Sequence, residues 1–134
     1  MPAATQAAEL DLVAVSDRYF AAWAACDPDA ITALHIDDTL FWVHAGQEPA
    51  RGRDATRAAF AEIFERFPGF GFETYRVLFG ERHWVLDWAL ISRGGEKELR
   101  FDCLDVVMVS PDGLVERKDT FIDFAQLQAA GEGI

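Results

Sequence analysis

The sequence predicts an α+β fold in which a curved, mixed and mostly antiparallel β-sheet wraps around three N-terminal α-helices. Apolar residues recur with helical spacing in the first half of the chain, and four strand-like segments follow one another in the second half. The length of 134 residues and the 51% hydrophobic content suit one domain with a substantial core. We therefore expect a single domain over residues 1–134, ordered from about 7 to 129. Long antiparallel strands twist, so this sheet is expected to form a cone that can hold a small molecule.

The first part of the chain predicts two helices. Met1–Gln6 is expected to be a loose lead-in, and Glu9 to Cys26 then carries an apolar stripe at spacings of three and four residues. A proline flanked by two aspartates follows, which suits the end of one helix and the first turn of another. The second helix is predicted to be short, about Asp29–His35, and to be ended by the acidic pair Asp37-Asp38.

The next segment predicts a strand, a loop and a third helix. Thr39–His44 is a short run of β-forming residues, whereas Ala45–Arg53 contains two glycines and a proline, which are typical of a loop. The third helix is predicted over about Asp54–Phe67, with aromatic and aliphatic residues on one face, and Pro68 ends it.

The second half predicts a series of strands with turn residues between them. The segments are separated by Gly80-Glu81, Gly94-Gly95 and Pro111-Asp112-Gly113, and these residues favour tight turns. The strands are predicted at Phe70–Phe79, His83–Ser92, Glu98–Val109 and Leu114–Ile122. Asp123–Ala129 is predicted to form a short final helix, and Gly131–Ile134 a tail.

The strand around Asp105 contains an acid within an apolar run. Successive side chains of a strand face opposite sides, so Phe101 and Cys103 share a face with Asp105, and Leu86, Trp88 and Leu90 can line the same wall. A buried carboxylate must be paired or hydrogen-bonded, because leaving it bare is too costly. Asp105 is therefore either a functional acid or a member of a structural network.

Composition and charge limit the classes of partner. The formal net charge of −11 repels phosphate backbones and anionic lipid, so we expect no nucleic acid and no membrane partner. Cys26 and Cys103 are not spaced as a disulfide framework, and the chain shows neither a leader nor a membrane span, which favours a cytoplasmic protein. The histidines, cysteines and acids lack metal-site spacing, and phosphate loops and serine elbows are absent from the sequence, so we expect no metal and no cofactor.

Two stretches resemble a known superfamily. RYFAAWAACDPDAITALHIDDTLFWVH followed by GRDATRAAF is similar to the first half of the nuclear transport factor 2-like superfamily, and DCLDVVMVSPDGLVERKDTFID resembles its last two strands. The resemblance covers residues 10–128 and implies a cystatin-like α+β barrel. SnoaL-like polyketide cyclases and ketosteroid isomerases are the nearest branches, but this fold hosts many activities. The resemblance also implies a homodimer through the outer sheet face, which includes Leu104, Val106 and Met108.

The ketosteroid isomerase branch supplies candidates for a catalytic site. Tyr19 stands eight residues before Asp27 and Asp105 eight before Gly113, where that branch has the tyrosine and the protonated aspartate of its oxyanion hole. The chemistry of that hole is a worked example of pKa tuning. His35 falls at the position of a second tyrosine. The base of the branch corresponds to Val43, which cannot accept a proton.

The hydrolase and cyclase branches match the sequence less well. Epoxide hydrolases of this fold have an Arg and an Asp on their third strand, at positions that lie near Leu86 and Trp88 of this chain. Their second Asp corresponds to Thr120. SnoaL-like cyclases use an acid near this place, and Asp119 lies one residue away from it. Asp123 matches the aspartate that begins the final helix, where we expect it to cap the helix.

Each candidate also has a structural interpretation. Tyr19 has the spacing of a core residue, His35 could be a satisfied histidine, and His44 is a possible replacement base. Lys118 either reaches into the cone to pair with Asp105 or packs its stem on the wall with the ammonium in water. The predicted catalytic residues are Asp105, Tyr19, His35, His44 and Asp119. The predicted ligand-binding residues are Trp23, Val43, Phe60, Leu86, Trp88, Leu90, Phe101, Cys103, Lys118, Thr120 and Ile122.

Two functions of different class follow from these candidates. In the first, the protein is a cofactor-independent isomerase, cyclase or hydrolase acting on a small apolar carbonyl or epoxide compound. In the second, the same fold only binds a ligand or serves for dimerisation. Valine at the position of the base favours the second, whereas an inward-facing acid beside aromatic residues favours the first.

Overall fold

A computed structural model describes residues 10–130 of the chain and shows four helices and six strands. The predicted lead-in at Met1–Gln6 and the predicted tail at Gly131–Ile134 lie outside the described residues. The helices are α1 (Leu12–Ala24), α2 (Pro28–Thr32), α3 (Arg53–Arg66) and α4 (Phe124–Ala129). The strands are β1 (His35–His44), β2 (Ala50–Arg51), β3 (Phe70–Phe79), β4 (His83–Ser92), β5 (Leu99–Val109) and β6 (Val115–Ile122).

The strands form one curved mixed sheet in the order β2-β1-β6-β5-β4-β3. Only β1 and β6 pair in parallel, and the other neighbours are antiparallel. The Gly113 backbone between β5 and β6 has a φ of 87°, a left-handed conformation that glycine adopts without steric cost. The predicted α+β class and the mostly antiparallel sheet are confirmed.

Aspartates begin three of the helices. Asp11 accepts a hydrogen bond from the Ala14 backbone amide at the start of α1, and Asp27 accepts two such bonds at the start of α2. The carboxylate of Asp123 accepts a bond of 3.0 Å from the amide of Gln126, which confirms its predicted capping role in α4. These short polar side chains satisfy amides that have no partner within the helix.

The segment around His35 differs from the prediction. The second helix was predicted to extend to His35, but α2 ends at Thr32 and His35 is the first residue of β1. The strand includes Asp37 and Asp38, which were expected to end the helix before the strand began, and its register against β6 shifts between His35 and Leu40. This irregularity lets both acids face solvent within a strand.

A short pairing within a predicted loop also differs from expectation. The loop Ala45–Arg53 contains the two-residue strand β2, which pairs with β1 through Leu40–Arg51 and Phe41–Ala50. This pairing covers the edge of β1 and holds the loop beside the sheet. A two-residue strand is too short to produce a periodic pattern in the sequence.

The two faces of the sheet have different surroundings. The inner face packs on α1 and α3 and forms the hydrophobic core with Tyr19, Trp23, Phe60 and Phe101. The outer face carries a polar network that crosses over β4: Tyr75 of β3 donates to Asp102 of β5 at 2.8 Å, and Arg100 donates to Glu73 at 2.6 Å. Ala89, buried beneath these bonds, is small enough to let them pass.

Candidate functional site

The inner face of the sheet and the helices enclose a cavity of about 330 Å³. This volume lies at the lower end of the range that holds small-molecule ligands. Ten of the eleven predicted ligand-binding residues line it: Trp23, Val43, Leu86, Trp88, Leu90, Phe101, Cys103, Lys118, Thr120 and Ile122. Most of the wall is therefore aromatic or aliphatic.

Phe60 is the exception among the predicted lining residues. Its side chain is fully buried and is not part of the cavity wall. Its ring packs at 4.8 Å from the Trp23 ring and at 4.9 Å from the Phe41 ring, measured between ring centroids. Both of those rings line the cavity, so Phe60 supports the wall from behind.

A buried ion pair lies at the inner end of the cavity. The Nζ atom of Lys118 on β6 lies 3.0 Å from Oδ2 of Asp105 on β5, and the Thr120 hydroxyl donates to Oδ1 at 2.8 Å. The Asp105 and Lys118 side chains are only 2% and 6% exposed. Both carboxylate oxygens therefore accept hydrogen bonds, which is the pattern of an ionised carboxylate. In this arrangement Asp105 is a hydrogen-bond acceptor and not the protonated donor that the resemblance implied.

Aromatic rings surround the ammonium of Lys118. Its Nζ atom lies 5.0 Å from the centroid of the Tyr19 ring and 4.8 Å from a ring centroid of Trp23, within range of cation–π attraction. Burial alone lowers the pKa of Lys118, but the Asp105 carboxylate and Tyr19 raise it overall above its ordinary value. The side chain is therefore a charged donor despite its burial.

A chain of hydrogen bonds leads from Tyr19 away from the cavity. The Tyr19 Oη atom lies 2.9 Å from Nε2 of His35, whose Nδ1 lies 2.8 Å from the Thr39 hydroxyl. That hydroxyl donates to the backbone carbonyl of Glu116 at 3.2 Å, so it must accept from Nδ1–H of His35. We infer from this network that His35 carries its proton on Nδ1 and that its Nε2 accepts a hydrogen bond from the Tyr19 hydroxyl.

His35 itself is not part of the cavity wall. The residue is fully buried behind Tyr19, and Arg53 donates to its backbone carbonyl. Burial, with the positive charges of Lys118 and Arg53, lowers the pKa of His35 to about 3. Burial also raises the pKa of Tyr19 above its ordinary value, although Lys118 opposes the change. At neutral pH the pair is thus a neutral phenol that donates to a neutral imidazole.

His44 and Asp119 lie on the outer face, so neither can transfer a proton directly to a ligand in the cavity. Strand alternation explains this, because Val43 and Thr120 face inward while their neighbours in sequence face outward. The His44 Nε2 atom lies 2.7 Å from Oδ1 of Asp119, and Arg117 donates to both oxygens of Asp119. Asp119 therefore remains one residue away from the inward-facing position of the cyclase acid.

The outer cluster of His44, Asp119 and Arg117 is stabilised by ring stacking and by charge. The ring of His44 stacks between Trp42, at a centroid distance of 4.3 Å, and Phe121, at 4.1 Å. Burial alone would raise the pKa of Asp119, but Arg117 and His44 hold it below its ordinary value. Asp119 is therefore an ionised partner of two outward side chains.

Polar residues mark the opening of the cavity, and the sequence analysis did not identify them. Gln47 and Glu48 come from the loop before β2, and Glu62 and Arg66 come from the end of α3. All four side chains are exposed. Exposed polar residues on a helix and a loop give no signal in the sequence that separates a cavity rim from ordinary surface.

Among residues 10–130, no group of three or more His, Cys, Asp or Glu side chains is arranged to hold a metal ion. In the same part of the chain, no helix is long and apolar enough to cross a membrane. Burial raises the pKa of the Cys103 thiol, so the thiolate form is disfavoured in the cavity wall.

The fold and the lined cavity define a class of small α+β proteins with a cone-shaped interior. The family model of the SnoaL-like domain matches residues 16–118, which is more than half of the chain, so the chain belongs to the SnoaL-like domain family. The chain has no match among curated proteins.

Three solved structures of similar fold illustrate the range of this class. SalBIII, an epoxide hydrolase/cyclase-like enzyme in pyran ring formation of salinomycin, is 17% identical at a TM-score of 0.75, with 85% of this chain and 92% of that chain covered. A protein of ketosteroid isomerase-like fold from Catenulispora acidiphila DSM 44928, in complex with trimethylamine, is 13% identical with a TM-score of 0.76. The match covers 87% of this chain and 90% of that chain. An LEH-like epoxide hydrolase of M. tuberculosis is 17% identical with a TM-score of 0.72. The match covers 89% of this chain and 87% of that chain. These identities establish the fold alone.

Proposed function

We propose that this single SnoaL-like domain is a cofactor-independent enzyme of the isomerase, cyclase or hydrolase type, acting on a small apolar carbonyl or epoxide compound. The observation that carries the proposal is the ion pair of Lys118 and Asp105 at the inner end of an apolar cavity. A buried ion pair contributes little net stability compared with well-packed apolar residues, so its presence in a cavity wall calls for another role.

Lys118 supports the proposal as a charged hydrogen-bond donor. Its ammonium has three N–H groups, and one of them is directed to Asp105. A ligand oxygen in the cavity can accept another. Negative charge develops on that oxygen during enolisation of a carbonyl or opening of an epoxide, and a fixed positive charge in an apolar site stabilises it strongly.

Asp105 is the candidate base of the same pair. It is the one buried carboxylate among the cavity-lining residues that the structure describes, since Glu48 and Glu62 are exposed at the opening. An ammonium that donates to the ligand oxygen and a carboxylate beside it can act as acid and base on one molecule. The hydrogen bond to the neutral His35 holds Tyr19 in place, so that the Tyr19 ring packs against the ammonium of Lys118.

The alternative is a binding module without catalysis. Val43 lines the cavity at the position where the ketosteroid isomerases have their base, and it cannot accept a proton. The ion pair would then only orient a bound ligand. Turnover of a carbonyl or epoxide compound by the native protein separates the two functions.

We also propose that the outer sheet face binds a second copy of the chain. Leu104, Met108 and Phe121 are 36%, 40% and 42% exposed on neighbouring strands, and Leu104 pairs directly with Phe121. The polar network of Glu73 and Arg100 occupies the other end of this face and is internally satisfied. A specific interface of this kind should bury about 1,000 Å² or more in total. The cytoplasmic location stays a prediction from sequence.

Binding of planar phenols, which mimic an enolate, tests the proposal. Trp23 and Trp88 line the cavity, so their fluorescence should report binding without added cofactor. Lys118→Met should weaken binding by about 1–3 kcal/mol, the usual effect of removing a buried hydrogen-bond partner. Arg117→Met, one residue earlier and on the outer face, is the matched control and should leave binding unchanged. Equal binding by the two variants would contradict the role of Lys118.

A further inference from the structure

We infer that Asp105 makes the inner end of the cavity select neutral ligands, such as ketones, esters, epoxides and protonated phenols, and reject carboxylates and other anions. This inference rests on the proposed function, because it assumes that the cavity binds a small molecule. It assigns Asp105 a role in specificity that is separate from any step of catalysis.

The first argument is the balance of charge. Lys118 and Asp105 contact one another at 3.0 Å, and both side chains are almost completely buried. The positive charge is therefore already matched before a ligand enters. An anion beside Lys118 would also lie close to Asp105, and two like charges in a site with little water repel one another.

The second argument is that the other hydroxyl donors of the inner end are already used. The Thr120 hydroxyl donates to Asp105 and the Tyr19 hydroxyl donates to the neutral His35. The indole N–H groups of Trp23 and Trp88, which also line the cavity, have no hydrogen-bond partner, but they carry no charge. A carboxylate needs several donors to replace the water that it loses, whereas a carbonyl or epoxide oxygen is satisfied by one.

The third argument concerns the remaining charges of the cavity. Among the lining residues that the structure describes, the only other basic side chain is Arg66, which is exposed at the opening beside Glu62 and Glu48. Exposed charges interact weakly because water and salt screen them. Lys118 is thus the one buried cation that an anion could reach, and Asp105 competes for it.

A chromophoric phenol gives a direct test. 4-Nitrophenol titrates near neutral pH and its phenolate absorbs at a longer wavelength than the phenol, so absorbance reports the proton of the bound molecule. Bound to the native protein, 4-nitrophenol should titrate at a higher pH than in water. Bound to Asp105→Asn, it should titrate lower than in the native protein by about one unit or more, a tenfold change, because the phenolate becomes the counter-charge of Lys118.

Two control variants isolate the effect of Asp105. Asp119→Asn makes the same change of charge on the outer face, so the bound phenol should titrate as in the native protein. Asp105→Asn/Lys118→Met removes both charges and should again bind the protonated form. If Asp105→Asn alone does not fold, the native protein still tests the inference, because bound 4-nitrophenol that titrates at a lower pH than in water would overturn it.

The outcomes separate the inference from the proposed function. Preferential binding of the phenolate by the native protein would overturn the inference and leave ligand binding intact. An Asp105→Asn variant that binds 4-nitrophenol without a lower titration point would also overturn it. Absence of 4-nitrophenol binding by the native protein would count against the proposed function and, with it, the inference.

Discussion

The hydroxyl of Tyr19 on α1 lies 2.9 Å from Nε2 of His35, the first residue of β1. His35 is fully buried, and its second nitrogen is bound to Thr39. Burial, together with Lys118 and Arg53, lowers the pKa of His35 to about 3. The imidazole is thus a neutral acceptor that fixes the direction of the Tyr19 hydroxyl.

Acid should destabilise the protein through His35. In the unfolded chain the imidazole binds a proton near its ordinary pKa of 6.5, whereas in the folded protein it does so only near 3. The unfolded state therefore binds more protons between these values, and the free energy of unfolding should fall by roughly 1.4 kcal/mol per pH unit as pH decreases below about 6.5. Urea unfolding at about pH 7, 6 and 5 would measure the slope, because carboxylates titrate mainly below this window.

Two variants assign that slope to His35. His35→Gln should remove this component of the pH dependence, since it has no proton to bind. His83→Gln, at the start of β4, should retain it. A slope that is the same in both variants would contradict the assignment.

Breaking the buried ion pair should be costly, and removing both charges much less so. Lys118→Met or Asp105→Asn alone leaves a charge without its partner and should lower the free energy of unfolding by roughly 3–5 kcal/mol. The double variant should lose less than the sum of the two. Denaturant unfolding of all four proteins gives the coupling energy. Additive losses would show that the pair is not coupled.

An acid at position 43 should supply a base at the position where the ketosteroid isomerases have theirs and this chain has valine. Val43 pairs in register with Thr120, whose hydroxyl is bound to Asp105. Native protein should not move the double bond of a β,γ-unsaturated ketone into conjugation at a useful rate. Val43→Asp should bring turnover, measured by ultraviolet absorbance, because a positioned base contributes about 10²–10⁴-fold. Val43→Asn is the control of equal size, and an inert Val43→Asp that still binds phenols would contradict this geometry.

Charge on the outer face should dissociate the proposed homodimer. Leu104→Lys/Met108→Lys places two like charges at an apolar area and at their symmetry mates, so the variant should sediment as a monomer at micromolar concentration. Val13→Lys changes a residue on α1 that is 54% exposed and should leave the dimer intact. Sedimentation of the native protein as a monomer would exclude the interface.

The last four strands, β3 to β6, were predictable because turn residues separate them in the sequence. The predicted Phe70–Phe79 and His83–Ser92 agree with β3 and β4, and the next two strands differ by one residue at their start. The start of β1 was not predictable, since two adjacent acids are ordinarily depleted in strands. They are accommodated by the shift of register against β6, which depends on a strand far away in the sequence.

The site was predictable only in part. Alternation along β6 puts Lys118 and Thr120 on one face, and the structure brings both side chains to Asp105 of β5. His44 follows the inward-facing Val43 and Asp119 precedes the inward-facing Thr120, so alternation turns both of these predicted catalytic residues outward. The bond between Tyr19 and His35 joins residues 16 positions apart on different elements, so local periodicity could not reveal it.

The alternation of β5 has a consequence for how such a protein can change over time. Cys103 and Asp105 face the cavity, while Leu104 between them faces outward. Substitutions at odd positions of this strand alter what the interior accommodates, and substitutions at even positions alter what the exterior meets. One short stretch of chain therefore encodes two properties that selection can adjust separately, so a descendant could acquire a new ligand while it keeps its old surface.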